Sequence, residues 1–103
     1  MSPKIVIPKD AIAAFCEKWR IVELALFGSV LREDFRRDSD IDVLVTFAPD
    51  AGHSLFDLVH IQDELRALFG REVDLVERAG IESSRNYLRR KAILEQAEVV
   101  YAA

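Results

Sequence analysis

The chain has 103 residues, 50% of them hydrophobic, which suits one folded domain with a buried core. Its 18 acidic and 14 basic residues give a net charge of −4, which argues against nucleic acid as a direct partner, because phosphate binding needs net or clustered positive charge. A single cysteine excludes an internal disulfide, and no apolar run is long enough to cross a bilayer. We therefore expect one domain over residues 1–103, cytoplasmic and without membrane contact.

The first half of the chain predicts two helices that alternate with two strands. Hydrophobic residues at helical spacing predict a helix over residues 9–20. The almost wholly apolar Ile21–Phe27 favours a buried strand. A short helix over 29–33 and a polar turn over 34–39 follow, and the branched side chains of Ile41–Phe47 predict the second strand.

The longest predicted helix runs over residues 54–69. Ser54 is a suitable N-cap, and Gly70 stands where a C-terminal cap belongs. Six apolar residues form a broad stripe along this helix: Leu55, Leu58, Val59, Leu65, Leu68 and Phe69. We expect the stripe to pack in the core, and part of it could serve an interface.

The rest of the chain predicts a strand over 72–77, a basic helix from Ser83 or Ser84 to residue 96, and a final strand over 98–101. We interpret the four basic residues of this helix as a solvent face, with an acidic partner or RNA as the alternative: Arg85, Arg89, Arg90 and Lys91. The alternation of helices and strands predicts an α/β (α+β) fold, a small mixed β-sheet covered by helices.

Two short motifs flank the turn between the first two predicted strands. Gly28-Ser29 follows a strand and opens a helix, so it can hold a phosphate: glycine lets the backbone approach closely, and N–H groups and the hydroxyl lie at the positive end of the helix. Asp40 and Asp42 are two residues apart on a strand. Both therefore project from one face and can hold a hard divalent cation.

Two further residues extend this candidate site. Asp74 lies within the third predicted strand, where an acid flanked by apolar residues is costly unless it is paired or bound to metal, so we expect the three acids to converge on one metal cluster. Arg32 follows Ser29 by about one helical turn and could hold a triphosphate, although a solvated turn residue explains it equally well.

Taken singly, each motif has an ordinary explanation as a helix cap or a turn acid. Gly-Ser, a ten-residue gap and Asp-x-Asp together arise by chance in about one chain in a thousand of this length. A P-loop and a dinucleotide-binding glycine motif are both missing from the sequence. An EF-hand fails as well, because Val43 and Pro49 occupy the positions that need glycine and glutamate.

Gly28-Ser29, Asp40-Ile41-Asp42 and the later Asp74 resemble the signature of DNA polymerase β-type nucleotidyltransferases. Within that superfamily the chain is similar to the minimal nucleotidyltransferases (MNT), the antitoxins of HEPN/MNT toxin–antitoxin pairs. The resemblance covers nearly the whole chain and implies the polymerase β-type fold. Glu33 and Arg37 depart from the residues that many relatives have; Glu33 ends the short predicted helix and Arg37 lies in the turn after it.

The resemblance also implies an activity and assigns roles to residues. Asp40 and Asp42 would bind two Mg²⁺ ions, Asp74 would complete the catalytic metal site, and Gly28 with Ser29 would hold the triphosphate of ATP. The implied reaction is an adenylyl transfer from ATP to a tyrosine of a HEPN toxin ribonuclease, which neutralises the toxin. A homo-oligomer within such a toxin–antitoxin complex stays open.

Two other functions fit the sequence. The chain could be a non-catalytic module that neutralises a toxin by covering it, although an intact set of three acids argues against a decayed site. It could also be a nucleotidyltransferase that acts on RNA or a small molecule, which the acidic balance disfavours.

Overall fold

The centre of the fold is a β-sheet. The computed structural model describes residues 8–31, 40–83 and 85–103, and of Ser29 it describes the backbone alone. The described chain contains β1 (Ile21–Phe27), β2 (Ile41–Phe47), β3 (Val73–Glu77) and β4 (Glu98–Ala102). They lie in the order β3-β2-β1-β4. β1 runs antiparallel to β2 and β4, whereas β2 and β3 are parallel, so the sheet is mixed, as predicted.

Helices cover both faces of the sheet. α1 (Lys9–Lys18) and α2 (Leu55–Phe69) pack on one face, while α3 (Arg78–Glu82) and α4 (Tyr87–Gln96) pack on the other. A 3₁₀ turn, Gly28–Leu31, follows β1 directly. None of these described helices is long and apolar enough to span a membrane.

Side chains alternate between the two faces of each strand, so each face of the sheet carries its own hydrophobic core. The two cores differ in size. Under α1 and α2, the larger core includes Ile12, Cys16, Leu24, Leu26, Ile41, Val43, Val45, Ile61 and Leu65. Under α3 and α4, the smaller core holds Ala25, Phe27, Leu44, Ile81 and Ile93. The thinly covered second face therefore leaves room for a cleft at one end of the sheet.

α2 has the predicted length and both predicted caps. The Ser54 N–H donates to Oδ2 of Asp57 at 3.0 Å, and the Asp57 N–H donates to Oγ of Ser54 at 3.3 Å. At the other end, Gly70 adopts the left-handed conformation with φ 67°. These reciprocal bonds and the glycine fix where the helix begins and ends.

The stripe along α2 is only partly buried, contrary to the expectation of core packing. Leu55 and Val59 are 80% and 57% exposed, together with Phe56 at 81%. Leu55 and Val59 lie beside β3, an edge strand, and no further described strand flanks β3 to cover them. The first two turns of α2 therefore leave an apolar surface in solvent.

The chain between β3 and β4 differs most from the prediction. α3 was missed because five residues are too few to show a helical period. The predicted start at Ser83 or Ser84 is wrong: the Ser83 hydroxyl donates to the Ala79 carbonyl at 3.0 Å at the end of α3. α4 begins only at Tyr87, because the side chain of Asn86 is its N-cap.

Smaller differences occur at other ends. The helix predicted over 9–20 ends at Lys18, since Arg20 has φ 57° and turns the chain into β1. The third strand starts one residue later than predicted, and the last strand ends one residue later. A 3₁₀ turn replaces the start of the short helix predicted over 29–33, whereas its end and the polar turn over 34–39 lie outside the described residues.

Candidate active site

Asp42 and Asp74 lie side by side on the parallel strands β2 and β3. Each is the second residue of its strand, and the two are direct register partners. Register partners of paired strands project from the same face, here the face that α4 covers. Two adjacent carboxylates of this kind offer the oxygen ligands that Mg²⁺ prefers.

Gly28 approaches Asp42 from the end of β1. Its φ is +76°, and a Cβ built on it would lie 2.2 Å from Oδ2 of Asp42. Any larger residue would therefore have to displace that carboxylate as well as adopt a left-handed backbone. The sequence predicted a glycine that lets a phosphate approach; the structure adds that this glycine makes room for the carboxylate itself.

The other predicted site residues are less closely grouped. Asp40 directly precedes β2 and is exposed, and Ile41, which follows it, is buried on the opposite face of the sheet. The Ile41 N–H donates to the Glu72 carbonyl at 2.9 Å, which holds the start of β2 against the chain before β3. Arg32 lies outside the described residues, and for Ser29 only the backbone position in the 3₁₀ turn is given.

A cleft of about 300 Å³ opens above the two carboxylates. The sheet side of the cleft is formed by Phe27, Gly28, Asp42 and Asp74, and the facing wall is formed by Arg89, Ala92, Ile93 and Gln96 of α4. The α4 residues are spaced as one helix face. The volume matches the smaller sites that hold small molecules in proteins.

The environment of Asp74 differs from the expectation. The sequence placed this acid between apolar neighbours at an energetic cost, but its side chain is exposed to the cleft. No burial cost therefore forces a metal or a partner on it, and that part of the argument for metal binding is wrong. Its adjacency to Asp42 is the observation that supports a shared ligand.

Within residues 8–31, 40–83 and 85–103, no group of three or more His, Cys, Asp or Glu side chains is arranged to hold a metal ion unaided. The described structure thus brings two of the three predicted acids together, and the convergence of all three stays a prediction. Mg²⁺ commonly binds through one or two protein carboxylates and takes its other ligands from water and substrate phosphates. The pair beside Gly28 fits that mode.

Arg89 lines the cleft, whereas the sequence analysis interpreted it as part of a solvent face, with an acidic partner or RNA as the alternative. The helical period could have identified Arg89 as a residue that faces the sheet. Ile93 is the buried residue of α4, and Arg89 precedes it by four positions, so both lie on one face of the helix.

Comparisons with known proteins give a consistent family. Residues 9–100 match the family model described as "Nucleotidyltransferase domain". The protein adenylyltransferase MntA of Thermococcus cleftensis is 36% identical over 67 residues, which cover 65% of this chain and 66% of that protein. A Methanocaldococcus jannaschii protein, described as a proposed protein adenylyltransferase, is 41% identical over 66% of this chain and 71% of its own length. The chain thus spans about two thirds of the length of these relatives.

Solved structures show the same fold. One of them, described as a proposed minimal nucleotidyltransferase, is 33% identical to this chain and has a TM-score of 0.67. The match covers 87% of this chain and 86% of the other. A toxin–antitoxin structure with AMP-PNP has a TM-score of 0.68 at 20% identity, over 93% of this chain and 74% of the other. A complex of a tri-AMPylated Shewanella oneidensis HEPN toxin with its MNT antitoxin has a TM-score of 0.60 at 18% identity, over 92% and 70%. The predicted fold is confirmed.

Proposed function

Because the chain belongs to the nucleotidyltransferase domain family, we propose that it transfers AMP from ATP to a tyrosine of a partner HEPN toxin ribonuclease and thereby neutralises that toxin. The relative from Thermococcus cleftensis is named a protein adenylyltransferase, which supports a protein acceptor. The Shewanella oneidensis complex pairs an MNT antitoxin with an AMPylated HEPN toxin, which supports the class of partner.

The grouping of Gly28, Asp42 and Asp74 beneath one open cleft is the observation that carries the proposal. Adenylyl transfer needs metal ligands and an accessible backbone at one point, beside the α-phosphate of the nucleotide. The two carboxylates provide the ligands, and Gly28 provides a backbone without a side chain next to them. The cleft above is open to solvent, so an acceptor from another protein can reach it.

Asp42 and Asp74, with Asp40 as a third carboxylate, are the residues that would hold two Mg²⁺ ions in this proposal. When bound there, the ions would supply charge stabilisation to the attacking and leaving oxygens of an in-line displacement. Ser29 and Arg32 stay predicted contacts of the ATP phosphates. In the reaction, the tyrosine hydroxyl gives up its proton to water and its oxygen bonds to the α-phosphorus. The bond from that phosphorus to the bridging oxygen breaks at the same time, and pyrophosphate leaves.

The test of the proposal is a mass measurement on the partner. The chain, ATP, Mg²⁺ and the HEPN toxin proposed as its partner are mixed, and the toxin is weighed by mass spectrometry. We expect the toxin to gain one or more AMP units, about 329 Da each, with loss of its ribonuclease activity. The Asp40→Ala/Asp42→Ala double variant should still bind the toxin but add no mass to it.

Asp63→Ala is the matched control, because Asp63 is an exposed aspartate of α2 remote from the cleft. That variant should modify the toxin as the unchanged chain does. Neutralisation by the double variant with no gain of mass would refute the enzymatic proposal and favour a module that acts by covering the toxin. A gain of mass on RNA or a small molecule, with none on the toxin, would change the acceptor.

A further inference from the structure

α4 places one guanidinium group in the wall of the cleft that faces Asp42 and Asp74. Arg89 lines the cleft with these two acids. Its backbone is held by the N-cap, since the Arg89 N–H donates to Oδ1 of Asn86 at 3.1 Å. One turn later, Ile93 is buried against the sheet and fixes which face of the helix looks inward.

Arg89 differs from three other arginines in having no carboxylate partner among the described residues. Arg20, Arg66 and Arg78 each pair with a carboxylate, at 2.7, 2.6 and 2.9 Å. The structure, over the residues that it describes, gives the side chain of Arg89 no hydrogen bond or ion pair. Its donors are thus available to a molecule that enters the cleft.

The charges around the cleft indicate what that molecule is. Arg89, Asp42 and Asp74 are the charged residues among its described lining. A guanidinium is always protonated, and its planar fork of donors matches the oxygens of a phosphate. Two acids on one wall and one arginine on the other suit a polyanion. Metal ions would lie between the polyanion and the acids, and the arginine would donate hydrogen bonds to it directly.

We infer that Arg89 binds the β- and γ-phosphates of the nucleotide, the part that leaves as pyrophosphate; this inference rests on the proposed function. The metal-holding acids must lie at the α-phosphate, where the bond changes occur, so the cation of the facing wall meets the phosphates beyond it. Negative charge builds on those phosphates as the bond breaks. A fixed cation there stabilises the transition state as well as the bound nucleotide.

The test compares Arg89→Ala with Lys91→Ala in the full chain by calorimetric titration in Mg²⁺. Lys91 is exposed on the same helix and does not line the cleft, so its loss removes the same charge without the contact. Arg89→Ala should weaken binding of ATP and of inorganic pyrophosphate at least about tenfold, because a hydrogen bond to a charged group is lost. The affinity of Arg89→Ala for AMP should change less than about twofold. For Lys91→Ala, the affinities for ATP, pyrophosphate and AMP should all change less than about twofold.

Arg89→Lys adds a second criterion. A lysine keeps the charge but not the planar fork, so ATP affinity should fall between that of Arg89→Ala and that of the unchanged chain. Circular dichroism melts check that each variant is folded. Equal ATP affinity for Arg89→Ala and Lys91→Ala would overturn the inference, and so would an equal loss for AMP and ATP. Failure of the unchanged chain to bind Mg·ATP would overturn the proposed function and this inference together, whereas normal binding by Arg89→Ala overturns the inference alone.

Discussion

Gly28 and Asp42 are packed so closely that the Asp42 carboxylate occupies the space of a Gly28 side chain: its Oδ2 lies 2.2 Å from where a Cβ would be. The pairing of β1 with β2 creates this proximity, because Phe27 and Asp42 are register partners at the end of the two strands. A residue expected to serve the nucleotide thus also sets the position of a predicted metal ligand.

Gly28→Ala should abolish adenylyl transfer, because the new Cβ must push the Asp42 carboxylate aside. Gly70→Ala is a close control: Gly70 also has a left-handed backbone, with φ +67°, but nothing lies within 4 Å of its Cβ position. Both variants should lose about 1–2 kcal/mol of unfolding free energy from backbone strain. Urea unfolding and a transfer assay separate the two effects, and a fully active Gly28→Ala would contradict the packing argument.

Asp42→Asn and Asp74→Asn should lose activity while keeping or slightly raising thermal stability. Their carboxylates are side by side on parallel strands, and like charges in that position repel each other. Removal of one charge relieves the repulsion in the absence of metal. Thermal melts in chelator alongside activity assays check this. A large drop in melting temperature together with the loss of activity would mean that the acids are structural.

ATP should bind only with Mg²⁺ or Mn²⁺ present, since two carboxylates that face a triphosphate repel it unless cations lie between them. With metal, ATP at a hundred times its Kd should stabilise the fold by about 2.7 kcal/mol. With chelator, the nucleotide should leave the melting temperature unchanged. Equal stabilisation under both conditions would show that the nucleotide binds elsewhere.

The capping box of α2 should contribute measurably to stability. Ser54→Ala removes the acceptor of the Asp57 N–H and should cost about 1 kcal/mol. The hydrogen bond from the Ser54 N–H lowers the pKa of the Asp57 carboxyl. The stability that this bond contributes is therefore fully present above the ordinary aspartate pKa and is lost as pH falls through the lowered pKa. Asp57→Asn should therefore differ from the unchanged chain at pH 7 and approach it in strong acid. Urea unfolding at both pH values gives the measurement, with Asp63→Asn as the control.

Cys16 should be inert in the folded protein. It is fully buried, and burial raises the pKa of its thiol to about 12. A thiol reagent at pH 8 should therefore react with the chain in urea but not in buffer. Because the folded pKa lies above the unfolded one, stability is unaffected below the unfolded value and falls as pH rises toward 12. Rapid native labelling at pH 8 would contradict the burial.

Local sequence signals account for the elements that were predicted well. α2 has 15 residues and a cap at each end, and the branched residues of β2 favour a strand wherever they pack. α3 has five residues and no cap formed by a side chain, so its sequence carries too little local information. Local patterns thus predicted α2 and β2 and missed α3.

The site shows the same division between local and distant information. The Gly-Ser and Asp-x-Asp motifs are readable because each lies on one short segment. The contact between Gly28 and Asp42 depends on strand register, and the position of Arg89 depends on how α4 packs on the sheet. The strand register and the packing of α4 are long-range properties that a single sequence does not encode as a pattern, although the helical period could have placed Arg89 on the face of Ile93. The exposure of Asp74 belongs to the same class.

The two walls of the cleft differ in how firmly they are held. Asp42 and Asp74 belong to a paired sheet whose opening requires unfolding of the larger core, and Gly28 directly follows one of its strands. By contrast, α4 buries only Ile93 among its described residues. The free energy of local opening is therefore much smaller for the helix than for the strands, and amide protons of α4 should exchange with solvent sooner than those of β2. Transient lifting of the helix would widen the cleft for a bulky acceptor and release pyrophosphate, while the acids keep their places.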